Sequence, residues 1–381
     1  MKTAELAEHV ATFTASPADR EAARASLLDT LCAAELGGQS PLAARLEALA
    51  PGPAFRRAAL ARADGFDDWM DYGAAGGPVW GALLALGTDD VDAVLEAGCA
   101  GMSGALMAWR GYREPDRGFD GTGVFGTLAG ALASARLLGL PPAAIAGAIG
   151  IAASEAGGVL ANLGTDMDAL HAGAAARAGE LAARLAARGY RGSREILEGR
   201  QGFDEAFFGL RDDVVPAAPA LATALRIKHV PGHSGHQRPV LALQRLLGPD
   251  VETVVVEGVA ATSGAVRFDV PRTAEEARAS LRFALACVLD HGTVTPADHA
   301  GLEAPLARTR VDLRSRWPAE PADGGRVTVH LREGGTRSLA LDSVPASHPF
   351  EAVAAKWAPY ASIGEIGALL TTIQSESFVL R

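Results

Sequence analysis

Aromatic side chains are scarce in this chain, at 6% of its 381 residues, while hydrophobic residues as a whole reach 49%. An interior with few large rings is filled mainly by Ala, Leu and Val, a mixture that favours helices packed closely through small side chains. Cysteine is scarcer still. Cys32, Cys99 and Cys287 stand far apart in apolar contexts, an odd and scattered set that gives neither a disulfide framework nor a zinc-ligand spacing and suits a reducing compartment. Positive charge is in deficit, 35 Lys and Arg against 45 Asp and Glu, so the clustered cations that a nucleic-acid phosphate backbone requires are missing. The first residues, MKTAELAEHVATFTA, contain Glu5 and Glu8 and no continuous apolar run. A cytoplasmic protein is therefore expected, with no membrane or nucleic-acid partner. The most apolar stretch, 124–163, is interrupted by Arg136, Pro141, Pro142 and Glu155 and reads as a buried helical hairpin rather than a membrane pair.

What is present is helical periodicity as far as about residue 225. Ser16 and Pro17 open a helix that Gly37 ends, a second unit follows Asp89 and Asp90, and Thr122 opens a third that Gly139 stops. Pro141 and Pro142 start another, and ALHAGAAARAGELAARLAARGY forms a further helix closed by Gly189. Gly126, Gly130, Gly147 and Gly150 are expected to let helix backbones approach one another. The texture changes near Lys228. VETVVVEGV and GRVTVHLREGGTRSLAL alternate apolar and polar residues, the second as a hairpin turning at EGG, with one helix over TAEEARASLRFALACVLDHG between them. The final segment is helical again. The length exceeds one ordinary core, and this order of elements gives a mainly α protein: a large all-helical domain with a smaller α+β domain.

Several segments, GFDGTGVFGTLAGALASARLLGL, AIGIAASEAGGVL, LHAGAAARAGELAARLAARGYRG, ILEGRQGFDEAFFG and LRIKHVPGH, together resemble the MmgE/PrpD family, in that family's order and across most of residues 15 to 300. The resemblance implies a helical domain over 1–226, an α+β lid over 227–344, and a return of 345–381 to the helical domain. It implies a homodimer with no organic cofactor or obligatory metal. It also implies proton or CO2 removal beside a carboxylate of a small substrate, which needs a base, a proton donor and groups that stabilise an enolate-like intermediate.

The family's pattern locates candidate residues, and three positions depart from it. Asp120 stands where a His usually faces substrate; it reads equally as a helix cap or a catalytic carboxylate. Asp168 stands where a Lys is often found, with a helix N-cap as the favoured structural role, and His171 beside it is expected to pack and hydrogen-bond locally. The acidic loop keeps Asp64, Asp67, Asp68 and Asp71 but lacks a following His-Pro pair. Some of these acids are expected to face solvent, and Asp68 is carried forward as a catalytic candidate. KHVPGHSGHQRP retains Lys228 and His233 at matching positions, with His236 and Arg238 on the same loop. His233 is the first choice for general acid or base, and a metal site there is the lesser reading because the histidines fall on a Gly/Pro-rich loop. Thr122 completes the binding candidates. Phe283 replaces a Tyr of some decarboxylase-like members and is expected at a pocket wall or in the core.

Replacing cations by Asp120 and Asp168 disfavours a citrate-like trianion, since like charges about 4 Å apart repel by roughly 4 kcal/mol near a protein surface. Methylcitrate dehydration and cis-aconitate decarboxylation are therefore disfavoured. A lyase or isomerase acting on a small carboxylate with an amino or imino nitrogen fits better, and a catalytically altered family member serving as a ligand-binding or dimeric scaffold is the alternative.

Overall fold

The computed structural model describes residues 2–110, 118–208, 220–248, 250–258, 267–302, 310–311, 325–341 and 350–374. The expected junction between lid and C-terminal segment, 344/345, lies outside the described residues.

Among the described residues, nine helices form the first part: α1 (Thr3–Thr12), α2 (Pro17–Gly37), α3 (Pro41–Leu49), α4 (Pro53–Arg62), α5 (Gly76–Leu84), α6 (Val91–Trp109), α7 (Gly121–Leu137), α8 (Pro142–Glu155) and α9 (Met167–Ala187). Helix α7 runs through the middle, buried from Thr122 to Ala135 and packed against α5, α6, α8 and α9. That position requires small side chains on several faces. A Cβ on Gly179 of α9 would lie 2.7 Å from the backbone nitrogen of Ala131, and one on Gly101 of α6 would lie 2.6 Å from the carbonyl oxygen of Ala129. Of the four glycines expected to allow close approach, Gly126, Gly130 and Gly150 do so against Pro78 (Gly126 and Gly130) and Ser193. Gly147 does not, since a Cβ there would meet nothing nearer than 3.9 Å. Among the described residues one helix, α6, is long and apolar enough to cross a membrane, and 72% of its apolar stretch is buried within the fold.

A short helix α10 (Leu221–Ala224) leads to a smaller region containing α11 (Gln237–Leu246), α12 (Ala274–Arg278), α13 (Leu281–His291) and α14 (Pro296–Ala300). Its strands, β1 (Val251–Glu257), β2 (Arg310–Val311), β3 (Arg326–Leu331) and β4 (Thr336–Ala340), form one sheet in the order β2-β1-β3-β4. β1 and β3 are antiparallel, pairing Val254 with Val329 and Val256 with Val327. These valines share one face and pack with Val240, Leu243, Phe283 and Leu285, as period-two alternation requires. The parallel partner β2 was not expected from the sequence. The single helix expected over 273–292 is two helices. The chain leaves helical geometry at Ala279, and the Ser280 side chain accepts the Phe283 N–H at 3.1 Å to cap a new start.

The last helices, α15 (Phe350–Trp357) and α16 (Ile366–Gln374), return to α2. Val353, Trp357 and Ile366 join Leu28, Cys32 and Phe66 in one apolar cluster. Asp29 is buried beneath them and accepts hydrogen bonds from Lys356 Nζ at 2.6 Å and Trp357 Nε1 at 2.8 Å. All three cysteines are buried thiols.

Candidate active site

The GFDGTG segment turns into α7 where three backbones nearly touch. A Cβ on Gly121 would collide with the carbonyl oxygen of Tyr72, and one on Gly123 with that of Gly157, so only glycine fits on either side of Thr122. Asp120 is the N-cap: its Oδ1 accepts the Thr122 N–H at 2.9 Å. Its Oδ2 lies 2.6 Å from His171 Nδ1 on α9. One oxygen thus fills the capping role, and the other is held by an imidazole. Thr122 Oγ1 accepts the Ala74 N–H at 3.0 Å and fixes the loop before α5.

Asp120 and Thr122 line a cavity of about 400 Å³, together with Arg62, Asp71, Asp168, Arg226, His233 and Ser234. Arg62 is the last residue of α4; its Nη2 donates to Asp168 Oδ1 at 3.0 Å and its Nη1 to both oxygens of Asp67 at 3.3 Å. Asp168 is therefore not the cap of α9. The N-cap position is Asp166, and Asp168 lies in the first turn. Burial opposes ionisation of Asp168, but the Arg62 guanidinium prevails and holds it below the usual carboxylate range. Arg226 Nη1 donates to Asp71 at 2.6 Å.

His233 enters from the loop before α11. Its Nδ1 accepts the Gly235 N–H at 3.0 Å, and its backbone N–H donates to the Arg278 carbonyl at 2.8 Å. Burial, with His236 and Arg62 adding repulsion, lowers its pKa to about 3. The ring is neutral near pH 7. Because Nδ1 accepts a hydrogen bond, the single ring proton resides on Nε2. His233 at rest is therefore a hydrogen-bond donor through Nε2–H.

The remaining candidates lie elsewhere. Lys228 is 1% exposed and donates to Asp67 Oδ1 at 2.9 Å and to the Gly65 carbonyl at 2.8 Å. It fixes the acidic loop from behind instead of lining the cavity. Asp67, though buried, is held below its ordinary pKa by Arg62 and Lys228. Asp68 is also fully buried, accepting from Gly76 N–H at 2.7 Å and from the Ser26 hydroxyl. Desolvation and the nearby Asp29 raise its pKa to about 7. It secures the first turn of α5 and does not line the cavity. Asp64 is half-buried in a second cavity of about 280 Å³ that shares Arg62 and Asp168 with the first. Asp71 is the one acid of the four that is exposed. His236 is buried with its ring 5.9 Å from that of His233, Arg238 is exposed on α11 and borders neither cavity, and Phe283 lies in the apolar core beside the sheet.

Sequence reasoning missed Arg62, Arg226 and the pairing of His171 with Asp120. The one available signal for Arg62 was its place just before the acidic run ADGFDD.

The central buried helix thus presents the Asp120 carboxylate, held from behind by His171, to a cavity that His233 also lines. The MmgE/PrpD N-terminal domain model matches residues 49–216, which include α7, Asp120, Asp168 and His171. Over those residues the chain is similar to the MmgE/PrpD N-terminal domain. It is similar to human cis-aconitate decarboxylase, with 30% identity over 244 residues, 57% of this chain and 50% of that enzyme. It is also similar to mouse cis-aconitate decarboxylase, with 32% identity over 117 residues, 30% of this chain and 24% of the enzyme. The matched region therefore spans half the length or less of these relatives.

Proposed function

We propose that this protein is a cofactor-independent lyase or isomerase that moves a proton beside a carboxylate of a small substrate, with Asp120 as base and His233 as the opposing donor. The observation that carries this reading is the Asp120–His171 contact of 2.6 Å at the wall of a cavity that also holds a neutral, Nε2-protonated His233. His171 orients Asp120 and supports its changing charge, as a third group does in other base dyads. His233 Nε2–H, with Arg226, is suited to a carboxylate oxygen on which negative charge grows as the α-proton leaves.

The wall also bears on substrate class. Asp71, Asp120 and Asp168 face Arg62 and Arg226, and each arginine is already paired with an acid. Arg62 thus neutralises Asp168, so the repulsion inferred from sequence is smaller than the bare substitution suggests. Among the described residues Asp120 is hydrogen-bonded to no arginine, although Arg62 lies near enough to attract it. A small carboxylate that brings an amino or imino nitrogen matches this balance better than a trianion does.

The test is proton NMR in D2O with a panel of small dicarboxylates and their amino and imino counterparts. Wild type is expected to wash deuterium into the α-position of at least one compound, and Asp120→Asn and His233→Gln to slow that exchange by about a hundredfold or more. Absence of exchange or turnover across the panel, or an Asp120→Asn variant as fast as wild type, would remove this reading and favour a ligand-binding scaffold.

A further inference from the structure

The lid ends one helix and begins the next in a way that brings three metal-ligating groups together. Cys287 and His291 are one turn apart on α13 and share a face. Gly292 follows in the left-handed conformation (φ 90°), its carbonyl held by Gln244 Nε2 at 2.9 Å, and the chain folds back into α14. There Asp298 completes a capping box with Thr295: its Oδ2 accepts the Thr295 N–H at 2.7 Å and the Thr295 hydroxyl at 2.9 Å. That pair of donors fixes the carboxylate and turns Oδ1 toward His291 Nε2, 3.0 Å away. The Cys287 sulfur, an imidazole nitrogen of His291 and an oxygen of Asp298 all lie within 4.8 Å of one another.

We propose that Cys287, His291 and Asp298 form a metal site of the zinc class in the lid. Metal–ligand distances of about 2.0–2.3 Å place the ligands of a tetrahedral ion roughly 3.3–3.8 Å apart, so the three atoms need only a small inward movement. One sulfur, one nitrogen and one oxygen suit zinc or cobalt and not the all-oxygen shells of magnesium or calcium. Thr295 supplies the orientation that a ligating carboxylate needs from its neighbours. The fourth position faces solvent, because the His291 side chain is 37% exposed, which leaves room for a water and a path of entry. On binding, the thiol proton leaves to solvent, the imidazole proton resides on Nδ1, and the His291–Asp298 hydrogen bond is replaced by two metal–ligand bonds. The ion would tie α13 to α14, one residue before His299, which lines the second cavity. This site is independent of the proposed proton-transfer chemistry.

The full-length protein, dialysed against chelator and then titrated with cobalt(II), tests the proposal. The expected result is one cobalt per chain, with a thiolate-to-cobalt charge-transfer band in the near ultraviolet and the intense visible bands of tetrahedral cobalt, all abolished by stoichiometric zinc. Cys287→Ser should lose the charge-transfer band. His291→Gln, which alters a side chain 37% exposed at the surface, should weaken cobalt affinity by about tenfold or more. No charge-transfer band in the wild type, a band that survives in Cys287→Ser, or unchanged affinity in His291→Gln would each overturn it.

Discussion

Two imidazoles separated by a cavity are held in opposite roles by a single hydrogen bond each. The backbone N–H of Gly235 occupies Nδ1 of His233 and leaves a donor, whereas a carboxylate sits at Nδ1 of His171. A pH consequence follows for His233. Its folded pKa is depressed to about 3 from an ordinary 6.5, so as pH falls the unfolded chain takes up a proton before the folded one does. The stability this group contributes is present above about pH 6.5 and is lost as pH falls toward 3. Urea unfolding at pH 7.5 and 5.0 should show wild type losing roughly 1–2 kcal/mol more than His233→Gln over that interval. An equal loss in both proteins would mean that the ring is charged in the fold. His233 itself was legible in the sequence because a motif marks it. Its tautomer was not, since that depends on a backbone N–H two residues later whose direction only the turn determines.

Among the helices, the glycines divide by what stands opposite them. Gly179 has the backbone of α7 against its Cα, so Gly179→Ala is expected to destabilise by about 2–3 kcal/mol through forced separation of α7 and α9. Gly147 has open space, so Gly147→Ala should be neutral or stabilise by up to about 1 kcal/mol through helix propensity alone. Thermal unfolding of the two variants side by side checks both. Sequence composition announced that helices approach closely but could not assign which glycines make the contacts, because that requires the crossing points. The same limit explains the two helices of the lid. Apolar spacing over 273–292 continues through Ala279, and only the capping by Ser280 reveals the break. Helix and strand identities were legible because their hydrophobic periods are long and regular; the buried pairings of Lys228 and Arg62 were not, because lysine and arginine look alike in sequence whether they face a substrate or an internal carboxylate.

Across the whole molecule, internal charges join distant parts of the chain. Asp29 on α2 and Lys356 on α15 are 327 residues apart, and their side chains are 0% and 4% exposed. Lys356→Met should cost about 3–5 kcal/mol at pH 7.5, because it leaves a buried carboxylate without its cation, and Asp29→Asn in the same protein should restore part of that loss. Denaturant unfolding of the single and double variants measures both terms. The pair also constrains how the protein forms. Loop-closure entropy rises only slowly with length, so the separation costs little at equilibrium, but the contact must wait until 327 further residues have been added after Asp29. During synthesis, α2 emerges early with a carboxylate whose partner does not yet exist, and the face that will receive Trp357 stays open to water and to other chains. Closure of that face is thus a late event, and a nascent chain halted before residue 356 would present the ribosome's surroundings with an exposed apolar surface on its first long helix.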